Sequence, residues 1–139
     1  MIAQGEKAFV DSGAWIAMAV VRDTFHERAV AAWRTLDRAA ARLYTSVPVV
    51  LETFTYLDRK GSRDLALRWR ASLRTIARFQ VVGCQPAELE AAWSWLDRPE
   101  LYRLGLVDAT SFVIMGKHGI RVAFAFDVHF ATAGFRLVE

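Results

Sequence analysis

Four acidic residues occupy positions where their carboxylates could meet and do chemistry. Asp11 and Asp127 each directly follow a short apolar run, which puts both at the ends of predicted strands. Glu52 stands alone in an otherwise apolar part of a predicted helix, and Asp108 opens another helix. Carboxylates in one cleft repel each other unless a cation neutralises them, and hard oxygen ligands suit Mg²⁺ or Mn²⁺. The four acids together therefore predict a metal site that could activate water against a phosphodiester, although each acid alone also fits a turn, a cap or an exposed helix position.

The elements that must position these acids alternate along the chain. Short apolar runs closed by polar turn residues predict buried strands, and Ser46 with Pro48, Ser62 and Pro86 mark helix starts. The predicted strands cover residues 8–10, 43–45, 79–82, 121–126 and 135–138, and the predicted helices cover 14–21, 26–43, 46–61, 63–78, 86–96 and 108–116. This alternation predicts an α/β fold with a mostly parallel central sheet of about five strands and helices on both faces.

Composition limits the class of protein. The 139 residues are 54% hydrophobic and 24% charged, so we predict one globular domain over residues 1–139. The 18 basic against 15 acidic residues permit a polyanionic partner without requiring one. The single cysteine, Cys84, excludes a disulfide framework and a cysteine-rich zinc site, and we expect it to be buried in a cytoplasmic protein. The longest apolar stretch, residues 13–21, is too short to span a bilayer, so we predict no membrane segment.

Four segments carry a resemblance to a known family. They are Phe9–Ala17 with Asp11 and Ser12, Thr45–Thr53 with Glu52, Leu106–Phe112 with Asp108, and Phe124–Phe130 with Asp127. In this order and spacing the chain resembles a PIN domain, most closely a VapC-type toxin ribonuclease of a toxin–antitoxin pair. The resemblance implies that the four acids bind metal and that the activity is Mg²⁺- or Mn²⁺-dependent cleavage of RNA. It also implies a small neutralising antitoxin and a homodimer or higher assembly.

Two positions depart from the family pattern. Ala125 stands where Ser or Thr is usual, two residues before the last acid, and Val47 replaces a frequent Asn. A hydroxyl at position 125 would orient a metal ligand through a hydrogen bond. We therefore expect reduced metal affinity or rate, unless Ser12 orients a ligand instead. Both departures leave the four acids in place.

Basic residues offer a second kind of site, for contact with RNA phosphates. Four arginines lie in one sector of the predicted helix 63–78: Arg63, Arg70, Arg74 and Arg78. This sector is either an RNA-binding stripe, a solvated face or a surface for an acidic partner. Arg22, His26 and Arg28 form a lesser basic cluster. His129 lies two residues after the last acid, but oxygen-rich magnesium sites seldom use imidazole, so we do not include it among the ligands.

Two other functions stay open from the sequence. One is a PIN-like module that binds RNA or protein without catalysis. The other is a magnesium-dependent phosphatase, although that chemistry calls for a second Asp where Gly13 stands and for a lysine near the cleft. For a partner surface we expect apolar side chains of the first and third predicted helices: Trp15, Ile16, Met18, Tyr56 and Leu57. A position in the core is the competing interpretation of Trp15.

Overall fold

The computed structural model describes residues 1–138 as an alternation of strands and helices. The strands are β1 (Lys7–Val10), β2 (Arg42–Ser46), β3 (Phe79–Val82), β4 (Val122–Phe124) and β5 (Arg136–Leu137). The helices are α1 (Ser12–Ala19), α2 (His26–Arg38), α3 (Val47–Tyr56), α4 (Arg63–Leu73), α5 (Pro86–Leu96), α6 (Leu106–Lys117) and α7 (His129–Thr132). A π-helical turn at Leu57–Gly61 extends α3, and a 3₁₀ turn at Pro99–Leu101 precedes α6.

All five strands are parallel and form one sheet in the order β3-β2-β1-β4-β5. The chain builds outward from β1 to β3 and then crosses back to add β4 on the other side of β1. Right-handed crossovers place α1 to α4 on one face of the sheet and α5 and α6 on the other. The predicted α/β fold with a parallel five-stranded sheet is confirmed. The strand order reverses between β1 and β4, and their carboxyl ends form the crevice where such sheets bind ligands.

Burial on both faces explains why the central strands are so apolar. Ala8, Phe9 and Val10 of β1 are fully buried, and so is Phe124 of β4. A strand that helices cover on both sides reads as a continuous apolar run rather than as an alternation of apolar and polar residues. The run in β1 ends at Asp11, whose side chain therefore emerges at the crevice.

Serine caps fix where two of the helices begin. Ser46 Oγ accepts a hydrogen bond from Val49 N at 3.2 Å, and Ser62 Oγ accepts one from Leu65 N at 3.0 Å. Each cap satisfies a backbone N–H group that has no partner within its helix. The predicted starts of α3 and α4 are confirmed, and the start of α3 matters for the site because this helix carries Glu52.

Two predicted helices are too long at their carboxyl ends. α2 ends at Arg38 instead of residue 43 because Ala40 adopts a φ of 49° and the chain turns towards β2. α4 ends at Leu73 instead of residue 78, and Arg78 adopts a φ of 53° just before β3. Residues other than glycine enter this left-handed region mainly in tight turns. The turns bring β2 and β3 back alongside β1, a tertiary requirement that side-chain periodicity does not encode.

Trp15 and Leu57 belong to the core, so their predicted place on a partner surface is wrong. Trp15 is 3% exposed, and its ring centroid lies 5.9, 5.9 and 5.7 Å from those of Trp33, Trp69 and Phe79. Leu57 is fully buried. The physical reason for Trp15 is that rings from α2, α4 and β3 pack around it, so its side chain faces the core rather than solvent.

The remaining expectations about burial are met in part. Ile16 and Met18 are half-buried and Tyr56 is exposed, so these three can still contact a partner. Cys84, which we expected in the core, is only half-buried. No helix in the described residues is both long and apolar enough to cross a membrane.

The aromatic cluster around Trp15 predicts a large loss of stability when that ring is removed. We expect Trp15→Ala to lower the free energy of unfolding by about 3–5 kcal/mol, because a large buried side chain leaves a cavity. Urea denaturation followed by circular dichroism measures this. Trp93→Ala is the matched control, since Trp93 is 45% exposed and its loss should change stability by only about 0.5 kcal/mol. Equal effects of the two substitutions would contradict the assignment of Trp15 to the core.

Candidate active site

A cavity of about 350 Å³ lies at the carboxyl ends of β1 and β4, where the strand order reverses. All four acids singled out in the sequence line it. The complete lining is Asp11, Ser12, Gly13, Glu52, Gly105, Leu106, Val107, Asp108 and Asp127. Asp11 directly follows β1, α3 supplies Glu52 and α6 supplies Asp108. Asp127 lies in the loop three residues after β4, which ends at Phe124 and not at residue 126 as predicted.

Asp11 is a buried carboxylate with an unused oxygen. It is 4% exposed, and its Oδ1 has no hydrogen-bond partner among the described residues. Asp11 occupies the N-cap position of α1, but its side chain makes no capping bond. Burial raises the pKa of this carboxyl well above its ordinary value, and the charges of Asp108 and Glu52 raise it further. The simple interpretation of Asp11 as a cap or turn residue therefore leaves its burial unexplained.

Ser12 fixes the orientation of Glu52. Its Oγ donates a hydrogen bond to Glu52 Oε1 at 2.6 Å, which ties the start of α1 to the middle of α3. Glu52 itself is exposed to solvent, so without this bond its side chain would be free to leave the cavity. The sequence singled out Ser12 as a group that orients a ligand, and the hydrogen bond shows a contact by which it can do so.

Asp108 lies in the first turn of α6, two residues inside the helix. Gly105 occupies the N-cap position, so the interpretation of Asp108 as the cap of this helix is wrong. Burial, followed by the charges of Asp127 and Glu52, raises the pKa of Asp108 from 3.8 to about 7, and His129 opposes this shift. Near neutral pH the apo site therefore holds a proton that a cation would displace.

His129 lies with the acids, although we did not include it among the ligands predicted from the sequence. Its backbone N donates to Asp127 Oδ1 at 2.9 Å, and its Nε2 lies 3.0 Å from Tyr102 O. Because a carbonyl oxygen only accepts, that contact requires a proton on Nε2. Nδ1 then lies 3.1 Å from Asp127 Oδ1 without the alignment of a hydrogen bond. Ligand atoms of Asp108, Asp127 and His129 lie within 4.8 Å of one another, a spacing that suits one metal ion.

The sequence matches the PIN domain family over residues 8–136, nearly the whole chain. The chain belongs to the PIN-domain family. It is also 38% identical, over 129 residues, to the "23S rRNA-specific endonuclease VapC20" of two strains of Mycobacterium tuberculosis, and the match covers 91% of this chain and 94% of that protein. The prediction of a VapC-type ribonuclease is thereby confirmed at the level of the family.

Solved structures agree with this PIN-domain assignment. The crystal structure of M. tuberculosis VapC20, described as a sarcin–ricin loop cleaving toxin, superposes with a TM-score of 0.81 at 34% identity, covering 92% of this chain and 95% of that chain. The fold alone is shared with VapBC2 of Rickettsia felis bound to promoter DNA, at a TM-score of 0.67, 10% identity and coverages of 94% and 96%. The fold is also shared with DNA-bound VapBC of Salmonella typhimurium, at a TM-score of 0.61 and 16% identity. That match covers 95% of this chain and 96% of the other.

The arginines that are candidates for RNA contact do not all lie on α4 of this PIN domain. Arg78 lies beyond the end of α4, 3.7 Å from Asp37, so its predicted place on the helix is wrong. Arg63 forms two hydrogen bonds with Asp58, at 2.6 and 3.0 Å. Arg70 and Arg74 are exposed at the end of α4. Contact of the four arginines with RNA stays a prediction.

The three residues of the lesser basic cluster have different surroundings. His26 Nδ1 contacts Ala17 O at 2.7 Å, so this side chain fixes the corner between α1 and α2. Arg22 is exposed, and the guanidinium of Arg28 lies beside two aromatic rings.

Ala125, where the family usually has a hydroxyl, is 3% exposed, and an effect of its missing hydroxyl on metal affinity stays a prediction.

The raised pKa of Asp108 predicts that the metal-free protein loses stability as pH rises from about 4 to about 7. The folded state keeps the proton over this range while the unfolded state releases it. Below the range both states are protonated, and above it both are ionised, so the loss is then complete. For Asp108 the loss amounts to at most about 4 kcal/mol, and the raised pKa of Asp11 acts in the same direction.

Asp108→Asn should reduce this pH dependence and stabilise the apo-protein at about pH 8, because it removes one of the repelling charges. Urea denaturation in EDTA across the pH range measures both effects. Asp64→Asn is the control, because the Asp64 side chain is 80% exposed and should contribute little. An unchanged pH profile in Asp108→Asn would contradict the shift assigned to this residue.

Proposed function

We propose that Asp11, Glu52, Asp108 and Asp127 hold a divalent cation, Mg²⁺ with Mn²⁺ as a substitute, and that the protein uses this site to hydrolyse RNA. The observation that carries the proposal is the burial of Asp11 with an unpartnered carboxylate oxygen in the cavity that Glu52, Asp108 and Asp127 also line. Packing like charges together is unfavourable unless something neutralises them. The oxygen-rich donor set fits a hard cation, and the space left in the cavity fits the waters that Mg²⁺ keeps.

The protein's own groups have separate tasks in this proposal. Ser12 holds Glu52, and the backbone N–H of His129 holds Asp127, so two of the acids are oriented before any ligand arrives. Asp108 releases its proton as the cation binds. A bound cation supplies an activated water and neutralises charge on the phosphodiester. The ring of His129 places Nδ1 3.1 Å from Asp127 Oδ1 and near Asp108, which puts this nitrogen among the candidate ligands.

For the substrate, we propose the sarcin–ricin loop of 23S ribosomal RNA. Support comes from the relative that is named for 23S rRNA and is matched over 94% of its length, and from the structure described as cleaving the sarcin–ricin loop. The mildly basic composition is compatible with a polyanion. We place the enzyme in the cytoplasm, where such RNA is found and a free cysteine stays reduced.

The two alternative functions fit the site less well. A phosphatase with an aspartyl nucleophile needs a lysine at the phosphate, and no lysine lines the cavity in residues 1–138. A binding module without catalysis would not need four acids around one cavity, with one hydrogen bond holding Glu52 and another holding Asp127. Both observations favour the nuclease.

We expect the isosteric amide at any of the four acids to lower RNA cleavage more than about 100-fold while the fold survives. The variants are Asp11→Asn, Glu52→Gln, Asp108→Asn and Asp127→Asn. Cleavage of a labelled sarcin–ricin hairpin with Mn²⁺ measures activity, and the shift in Tm on adding Mn²⁺ measures metal binding. Asp64→Asn is the matched control. Full cleavage by purified Asp108→Asn would remove that residue from the proposed site.

The proposed partner is a small antitoxin that inserts a basic side chain among the acids. An Arg or Lys there neutralises the carboxylates and competes with the cation for them. Inhibition by the protein of a neighbouring short reading frame should therefore weaken as Mg²⁺ rises. Cleavage measured over a Mg²⁺ titration tests this, with KCl at matched ionic strength as the control for screening. Inhibition that responds equally to both salts would point to surface charge rather than to competition at the acids.

A further inference from the structure

An aromatic pair with an arginine beside it lies next to the acid cavity and takes no part in the site described above. The rings of Phe25 and Phe126 are stacked, with centroids 4.7 Å apart and planes inclined by 7°. The guanidinium carbon of Arg28 lies 5.2 Å from the Phe25 centroid and 5.3 Å from the Phe126 centroid. Phe126 directly precedes Asp127, so one ring of the pair belongs to the loop after β4 that carries a proposed metal ligand.

Phe25 is the more exposed member of the pair. Arg28 is equally distant from both centroids, which places it beside the stack and not on the outer face of Phe25. Phe126 covers the inner face of Phe25, yet Phe25 is 36% exposed. Phe25 therefore keeps exposed surface next to a positive charge. We call these three residues, Phe25, Arg28 and Phe126, the aromatic platform.

The platform is held by short-range contacts on both sides. Asp23 Oδ1 accepts a hydrogen bond from Phe25 N at 2.8 Å, which fixes the turn before α2. His26 Nδ1 contacts Ala17 O at 2.7 Å, which fixes the corner between α1 and α2. Phe126 also packs edge-on against the buried Phe124, with centroids 6.1 Å apart. The exposed ring is thus held in place, and this lowers the entropy cost of binding a ligand on it.

We propose that the aromatic platform binds the RNA substrate, with a nucleobase stacked on Phe25 and an adjacent phosphate near Arg28. Unpaired bases of RNA stack on aromatic side chains and on guanidinium planes, and arginine adds attraction to phosphate. The position beside Asp127 puts the stacked nucleotide close to the phosphodiester at the acids. This inference rests on the proposed ribonuclease function and adds the surface that grips the strand. Because every base has a π face, the platform acts on affinity more than on base choice.

Binding of RNA without cleavage tests the platform separately from the activity. The probe is a fluorescein-labelled sarcin–ricin hairpin, and anisotropy in EDTA gives its Kd. Phe25→Ala should weaken binding about 5- to 150-fold, the range for loss of one stacked base. Phe25→Leu should weaken it similarly, since it keeps apolar volume without a ring, whereas Phe25→Trp should bind like the parent. Arg28→Gln should lower the slope of log Kd against log salt by about 1, and Arg28→Lys should keep it.

Matched controls come from elsewhere on the chain. Trp93→Ala removes another exposed aromatic ring, and Arg38→Gln removes an arginine in the last turn of α2, about 15 Å along the helix from Arg28. Both should leave Kd and its salt slope unchanged. With Mn²⁺ present, Phe25→Ala should raise KM and change kcat little, as expected for a group that binds substrate and transition state alike.

The outcomes separate the two proposals. Binding by both Phe25→Ala and Phe25→Leu within about twofold of the parent would overturn the platform, and cleavage by the parent would still support the nuclease. A parent that fails to cleave RNA under any divalent cation would contradict the proposed function. In that case the anisotropy series still decides whether Phe25 and Arg28 hold RNA. If Phe25→Ala does not fold, Phe25→Leu and Phe25→Trp provide the comparison.

Discussion

The repulsion between carboxylates gathered at one sheet edge is the constraint on which the rest of this structure depends. Asp11 and Asp108 have raised pKa values because burial and like charges disfavour ionisation of both. A chain selected only for stability would have no reason to keep such a cluster. The surrounding fold supplies the stability that tolerates it: a core of fully buried strands, an aromatic cluster at Trp15, and caps that set where the helices begin. The unfavourable charge density is itself the sign of a function.

The topology explains how distant residues reach one cavity. Strand order reverses at β1, and the chain therefore brings a strand end from its first residues next to one from its last. The crossover helices that cover opposite faces meet at this reversal, where α3 contacts α6. Glu52 and Asp108 lie on those two helices. Each acid thus comes from a different part of the chain, and hydrogen bonds from Ser12 and from the His129 backbone hold the two more exposed ones, Glu52 and Asp127.

Much of the fold and of the candidate site could be predicted from local signals. Acids directly after apolar runs, and Ser46 ahead of a proline, indicate their structural roles within a few residues. Helix ends could not be predicted in this way, because Ala40 and Arg78 take left-handed conformations that the register of the sheet imposes. The burial of Trp15 could not be predicted either, because it depends on α2, α4 and β3 packing around this side chain. Propensity and periodicity report one element at a time, and these features depend on two or three.

The contacts that orient the acids were the hardest to predict, for a related reason. The bond from Ser12 to Glu52 joins residues 40 positions apart, and the ring of His129 is oriented by a carbonyl on the loop before α6. Sequence spacing indicates which residue types are available but not which atoms meet. His129 illustrates this, since general ligand preference argued against it, while the turn after β4 aims its Nδ1 at Asp127. A cation drawn to the buried carboxylates would meet that nitrogen as well, so the composition of the ligand set follows from backbone geometry as much as from the preference of the metal.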